Sequence, residues 1–163
     1  GNGDGSFGNA ISFDISVDDF ADFPSSLAVG EFNGDGISDL VTTTGNGQAD
    51  INPISVLLGE GNGRFGESTE FDTEQLPRGV TVGDFNNDSI SDLVVANFRD
   101  NDISVLLGTG DGDFLDPTNF DVGDGPWSVA VGDFNGDGIQ DLAVPNLSDD
   151  SISILLNTTP VAG

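Results

Sequence analysis

The chain of 163 residues has no cysteine, methionine, histidine or tyrosine, and its only three basic residues are Arg64, Arg78 and Arg99. Each gap removes a class of chemistry. Without cysteine there is no disulfide framework and no redox compartment to read. Without histidine or cysteine, Ser-His-Asp and Cys-His nucleophiles and zinc sites of the usual ligand types are excluded. Against the three arginines stand 29 acidic residues, for a net charge of −26. Nucleic acid is therefore not expected as a partner, because phosphate binding relies on basic groups. Anionic membranes are disfavoured on the same ground. No apolar run approaches the roughly 18 residues of a spanning helix, so no membrane insertion is expected. Such a charge strains a compact fold unless it is neutralised or screened. The missing methionine and the start at Gly1 suggest a segment processed or excised from a longer protein, with no signal peptide to read.

What is present is glycine, 24 residues of it, and an acidic loop that occurs three times. The copies are Gly30-Glu31-Phe32-Asn33-Gly34-Asp35-Gly36-Ile37-Ser38-Asp39-Leu40, Gly83-Asp84-Phe85-Asn86-Asn87-Asp88-Ser89-Ile90-Ser91-Asp92-Leu93 and Gly132-Asp133-Phe134-Asn135-Gly136-Asp137-Gly138-Ile139-Gln140-Asp141-Leu142. Counting from the first acid, side-chain oxygens fall at positions 1, 3, 5 and 9: Glu31, Asn33, Asp35 and Asp39, then Asp84, Asn86, Asp88 and Asp92, then Asp133, Asn135, Asp137 and Asp141. Position 7, held by Ile37, Ile90 and Ile139, would add a backbone carbonyl. Alternate residues of a tight loop converge on one centre, and oxygens in that number suit calcium, which takes six to eight at flexible geometry. An EF-hand shares the start but needs a glutamate at position 12 and flanking helices. Position 12 here is Thr42, Val95 or Val144, inside β-branched runs that read as strands. The plainer reading is an Asx-rich turn that binds nothing. Repetition in register favours the cage, with about three calcium ions in all. Two departures stand out. Glu31 replaces aspartate at position 1, and Ser89 replaces the position-6 glycine, which strains the second loop if that position needs φ > 0.

The loops sit in a longer repeat, beginning at 31, 84 and 133. A strand led by Pro24, Pro77 or Pro126 precedes each loop (A), and a second starts at Leu40, Leu93 or Leu142 (B). A third is Ile54–Leu58, Ile103–Leu107 or Ile152–Leu156 (C). A glycine turn ending in Phe65 or Phe114 leads to a fourth strand, D, carrying Phe71 or Phe120. A four-residue insertion around Thr43 to Asn52 lengthens one hairpin of the first unit, marked by Gly45-Asn46-Gly47. Four short antiparallel strands with turns between them form a propeller blade. The predicted fold is therefore all-β, a single array of three blades over 1–157. Residues 1–26 hold a strand D and linker, 27–75 the first blade, 76–125 the second, and 126–157 a third lacking its strand D; 158–163 form a tail or linker. The strand order is D-ABCD-ABCD-ABC, because Gly1-Asn2-Gly3-Asp4-Gly5-Ser6-Phe7 matches the glycine turn and leads into a strand D around Ala10 to Val17. Three blades do not readily close a ring. Either the array is part of a larger ring, or other copies complete it by donating strand D. Nine phenylalanines recur at fixed positions: Phe32, Phe85 and Phe134; Phe7, Phe65 and Phe114; Phe13, Phe71 and Phe120. All nine are expected to be core packing.

On these residues, and above all on Val129-Ala130-Val131 with the third loop and Leu142-Ala143-Val144, the chain resembles the FG-GAP/VCBS repeat family. Its members include the calcium-binding blades of integrin α-subunit propellers and of many bacterial surface proteins. The resemblance covers all but Thr158 to Gly163. It implies propeller blades, calcium held by the loop residues, and an extracellular or cell-surface setting, where modules of this kind bind calcium at about 0.1–1 mM. It does not specify a partner.

Three functions follow as expectations. The first is a calcium-stabilised, non-enzymatic module for adhesion or protein assembly, binding a surface protein or further copies. The second is a carbohydrate-binding propeller, with Ser25, Arg78 and Trp127 at equivalent positions after each leading proline as ligand contacts. The bland alternative for these three is a rim residue covering the neighbouring blade. The third is an accessory propeller of a polysaccharide-degrading enzyme. Paired carboxylates would support glycoside hydrolysis, but nine of the acids already lie at cage positions. Sequons begin at Asn87, Asn146 and Asn157. Asn87 lies inside a loop, which leaves Asn146 and Asn157 as possible glycosylation sites, with Asn157 the more exposed.

Overall fold

In the computed structural model, residues 3–13, 15, 23–44 and 53–159 are described. They contain eleven strands and no helix. The first sheet is β1 (Pro24–Gly30), β2 (Asp39–Thr44), β3 (Pro53–Leu57) and β4 (Thr69–Asp72). The second is β5 (Pro77–Gly83), β6 (Asp92–Asn97), β7 (Asp102–Leu106) and β8 (Thr118–Asp121). The third has three strands, β9 (Ala130–Gly132), β10 (Asp141–Asn146) and β11 (Ser151–Leu155). Neighbours pair antiparallel throughout, in chain order, so each sheet is a meander. These are three propeller-type blades in an array that does not close. The A strands lie side by side, β1 against β5 and β5 against β9.

The core lies between blades. Strands β2 and β6 are rich in β-branched residues, which suit a pleated surface, and β6 is buried over its whole length. Period-two alternation divides its side chains. Leu93 and Val95 join Phe32, Val41, Ile54 and Val56 of the first blade, while Val94 joins Phe85, Ile103, Leu142 and Val144 at the second junction. Burying each such side chain contributes about 1.5–3 kcal/mol, so the blades hold each other more than any blade holds itself. The outer faces are correspondingly open: Leu27 and Val29 on β1 and Ile152 and Ile154 on β11 are exposed.

Several expectations need correction. The first blade starts at Pro24, three residues ahead of 27. Strand A of the third blade, expected from Pro126, pairs only over Ala130–Gly132, with a lone bridge from Pro126 to Asn146. Pro145 supplies the reason. Its carbonyl faces that side, accepting the Trp127 N–H at 3.1 Å, so the N–H it lacks is the one strand A would need. The complete blades place Ala96 opposite Gly79 and Thr43 opposite Ser26 at this point. Ala10 to Phe13 form no strand; the rest of the expected N-terminal D strand, apart from Ile15, and the Gly45-Asn46-Gly47 hairpin lie outside the described residues. The nine phenylalanines do not all belong to the core. Phe32 and Phe85 are buried, but Phe134, Phe7, Phe13 and Phe120 are exposed. A phenylalanine is buried here where the following blade covers it.

Candidate metal centres

All three loops have one backbone shape. Positions 4 and 6 lie in the left-handed region in each: Gly34 and Gly36 at φ 75° and 77°, Asn87 and Ser89 at 60° and 67°, Gly136 and Gly138 at 82° and 84°. Position 6 does need φ > 0, so Ser89 carries the strain that glycine avoids in the other two loops.

The side-chain oxygens bind this backbone in a repeating scheme. The position-1 acid gathers N–H groups from across the loop. Glu31 Oε1 accepts from Asn33, Gly34 and Asp35 at 3.2, 2.6 and 3.1 Å. Asp84 accepts from Asp88 and Ser89 at 3.1 and 3.0 Å, and Asp133 from Gly136 and Gly138 at 2.6 and 2.9 Å. The longer side chain of Glu31 thus folds back and makes the position-1 contacts with one oxygen. Position 3 accepts the position-5 N–H and donates its amide to the position-5 carboxylate, as in Asn135 Nδ2 to Asp137 Oδ2 at 2.8 Å. Position 5 accepts the position-7 N–H at 2.7, 2.8 and 2.9 Å in the three loops.

Position 9 is different. Asp39, Asp92 and Asp141 are fully buried. One oxygen of each accepts the N–H of the loop phenylalanine, Phe32, Phe85 or Phe134, at 2.8, 2.8 and 2.9 Å. The other accepts the N–H at the start of the following turn, Gly59, Gly108 or Asn157, at 2.8, 2.9 and 2.8 Å. These carboxylates tie the loop to the far end of strand C. Sequence reasoning missed the role because the N–H partner lies 16 to 20 residues downstream. The only available signal was a glycine after strand C in two of three repeats.

Among the described residues no three acidic side chains converge on one point. The donor set nonetheless suits a hard cation. Positions 1, 3 and 5 offer only oxygens and none is buried. A carboxylate oxygen that accepts one N–H also keeps a further lone pair. Glu31, Asn33 and Asp35, and their counterparts in the other loops, would hold the ion, with Asp39, Asp92 and Asp141 behind them. Electrostatics separates the positions too. The Gly138 and Gly136 N–H groups hold the Asp133 carboxyl below the usual carboxylate range. Burial pushes Asp92 up despite its two N–H bonds, and Asp88 and Asp84 add to that rise.

Ser25, Arg78 and Trp127 are brought together as a line of blade-to-blade contacts. Ser25 Oγ meets Thr43 Oγ1 at 2.9 Å and reaches the Pro77 and Arg78 carbonyls at 3.3 Å. The Arg78 guanidinium lies over Phe98 and Trp127, 5.7 and 5.1 Å from their ring centroids. Ser25 and Arg78 each touch the following blade, while Trp127 is 48% exposed. Asn146 is only 2% exposed and its amide donates to Ser151 and Ser153 Oγ, both at 2.9 Å. Asn157 is half-buried, its amide donating to the Phe85 carbonyl at 2.8 Å. Both N–H groups of the Asn146 amide are thus engaged, whereas one of the two on Asn157 is.

No curated protein matches the sequence. The model of the FG-GAP-like repeat matches twice, over residues 31–95 and 84–144. Each match runs from one acidic loop into the next strand B, and together they take in all three loops and well over half of the 163 residues. The chain belongs to the FG-GAP-like repeat family.

Proposed function

We propose that the chain is a calcium-stabilised structural module acting outside the cell, where it serves adhesion or protein assembly and catalyses nothing. The observation that carries this reading is the threefold recurrence of one loop: the same backbone, the same accessible oxygens at positions 1, 3 and 5, and the same buried brace at position 9. Three calcium ions would cancel six units of the net charge of −26. Their effect on folding follows from mass action. With a site affinity of about 0.1 mM and calcium near 2 mM, each site adds about 1.8 kcal/mol, and three independent sites about 5 kcal/mol. Magnesium, which demands a smaller octahedral shell, is a poor substitute. The test is thermal unfolding in calcium and in chelator, with calorimetric titration of the stoichiometry. Three sites and a higher melting temperature in calcium are expected; unchanged melting after chelation removes the proposal.

A further inference from the structure

We propose that the chain assembles head to tail with a second copy of itself, the Phe7 ring of one copy seating between Phe85 and Phe120 of the other. The pattern is set at the junction of the first two blades. There the glycine turn after β7 carries Phe114 between Phe32 and Phe71, with ring centroids 5.5 and 5.1 Å away and both contacts edge-on. The Gly112 N–H secures that turn on the Phe32 carbonyl at 2.9 Å. One blade further on, the counterparts of Phe32 and Phe71 are Phe85 and Phe120. Between them lies a cavity of about 350 Å³, walled also by Val105, Leu107, Leu142 and Leu155. The Phe85 carbonyl is satisfied by Asn157 Nδ2 and Thr159 Oγ1 at 2.8 and 3.3 Å, but no described ring fills the aromatic place.

A matching ring lies at the other end of the array. Gly3-Asp4-Gly5-Ser6-Phe7 repeats Gly110-Asp111-Gly112-Asp113-Phe114 and already has the turn's backbone, with φ 77° and 88° at Gly3 and Gly5 against 82° and 93° at Gly110 and Gly112. Phe7 is 84% exposed. Six residues on, Phe13 stands edge-on to Phe65 at 5.3 Å, as Phe71 does to Phe114 at 5.1 Å. The segment is thus docked on the first blade in the place of a preceding blade's strand D. The third blade offers the complementary edge, because β11 ends its sheet and exposes Ile152 and Ile154. In the complete blades Phe71 lies opposite Ile54 and Phe120 opposite Ile103, with Thr69 opposite Val56 and Thr118 opposite Val105. The same register sets Phe13 opposite Ile152 and Ile11 opposite Ile154, apolar on apolar. It also brings the open Leu27 and Val29 face, whose counterparts Val80 and Val82 pack in the first junction, against the third blade. Within one copy the Phe7 segment is held on the first blade by Phe13 against Phe65, while the socket opens beside the second and third, so a second copy is the occupant that brings ring and socket together. The inference adds a partner to the module reading and rests on its blades as the assembling unit, not on calcium.

The test is sedimentation equilibrium of the 163-residue chain at micromolar concentration. The expected species is a dimer, twice 16.8 kDa. Phe7→Ala, which removes an exposed ring, should weaken association about thirtyfold or more, the effect of deleting a buried aromatic anchor. Phe120→Ala should do the same, and mixing the two variants should restore dimers, because each supplies the half the other lacks. Leu147→Ala, exposed elsewhere, should leave association unchanged. The chain has no cysteine, so Ile11→Cys mixed with Ile154→Cys should give a disulfide-linked pair that reads the register. A monomer at tens of micromolar, or a dimer indifferent to Phe7→Ala, overturns the proposal. Calcium titration of the Phe7→Ala chain reads the loop proposal separately.

Discussion

Removing the buried carboxylate of the second loop, Asp92→Ala, should destabilise the fold even where no metal is present. The two N–H groups it holds, from Phe85 and Gly108, belong to buried residues. Each would be left without a partner, at about 1–3 kcal/mol apiece. The loss is therefore about 4 kcal/mol, a large share of the 5–15 kcal/mol that stabilises a typical domain. At about 2–4 °C per kcal/mol for a chain of this size, the melting temperature falls by about 10 °C. Asp88→Ala, in the same loop but exposed, removes only local turn bonds and should cost about 1 kcal/mol. Asp92→Asn keeps one acceptor and should fall between them. The assay is thermal and urea unfolding in chelator, so that the metal plays no part. Equal destabilisation by Asp92→Ala and Asp88→Ala would refute the brace. A pH series adds an independent check. Burial raises the Asp92 carboxyl above its ordinary value of 3.8, so the folded chain takes up this proton before the unfolded chain does. Its contribution to stability therefore increases as pH falls through the folded value, and the gain is complete below 3.8. Asp92→Asn should remove that component.

Ser89→Gly should stabilise the second loop by about 0.5–1 kcal/mol, read as a small rise in melting temperature, because glycine tolerates the φ of 67°. Gly138→Ser should cost a similar amount, since open space surrounds a Cβ there and only the backbone objects. Asp102→Asn should raise stability at neutral pH by about 0.2–1 kcal/mol in a melting experiment. Burial pushes its carboxyl up, Asp121 faces it directly across the ladder, and Asn97 can still donate to the new amide oxygen. Calorimetry should find one calcium fewer for Asp137→Ala and no change for Asp113→Ala, which alters only a glycine turn; equal stoichiometry in both would count against the loop assignment.

Most of the fold was legible because its signals are local. Leading prolines, β-branched runs and glycine turns recur from unit to unit, and of the twelve strands they mark, eleven are found among the described residues. The misses are non-local. Pro145 was visible in the chain, but its effect on strand A depends on which way its carbonyl points, a property of the pairing. The phenylalanines recur identically, yet Phe32 is buried and Phe134 exposed, because the following blade decides burial. Asn146 carries a sequon, and nothing nearby in sequence shows that Ser151 and Ser153 take its amide across a hairpin. In the loops the oxygen positions were readable, whereas the brace at position 9 required the end of strand C to be placed in space.

That brace changes what a cation would have to supply. A loop of six or more clustered oxygens would otherwise spring open without one, since positions 1 and 5 are both acidic in every copy. Here the position-1 acid is already spent on two or three N–H groups and the position-9 acid on two more. Backbone dipoles thus offset part of the repulsion before any ion arrives, and the lowered Asp133 carboxyl records this. On the proposed reading calcium meets a formed loop, and its binding energy is not consumed in folding one. It acts on the net charge of −26 and on the stiffness of each loop, while the blades are joined by the apolar junctions between them. Stability against chelation and association between copies are then separable properties. The first resides in positions 1, 3 and 5 of the loops, and the second in the aromatic places that one blade leaves for the next.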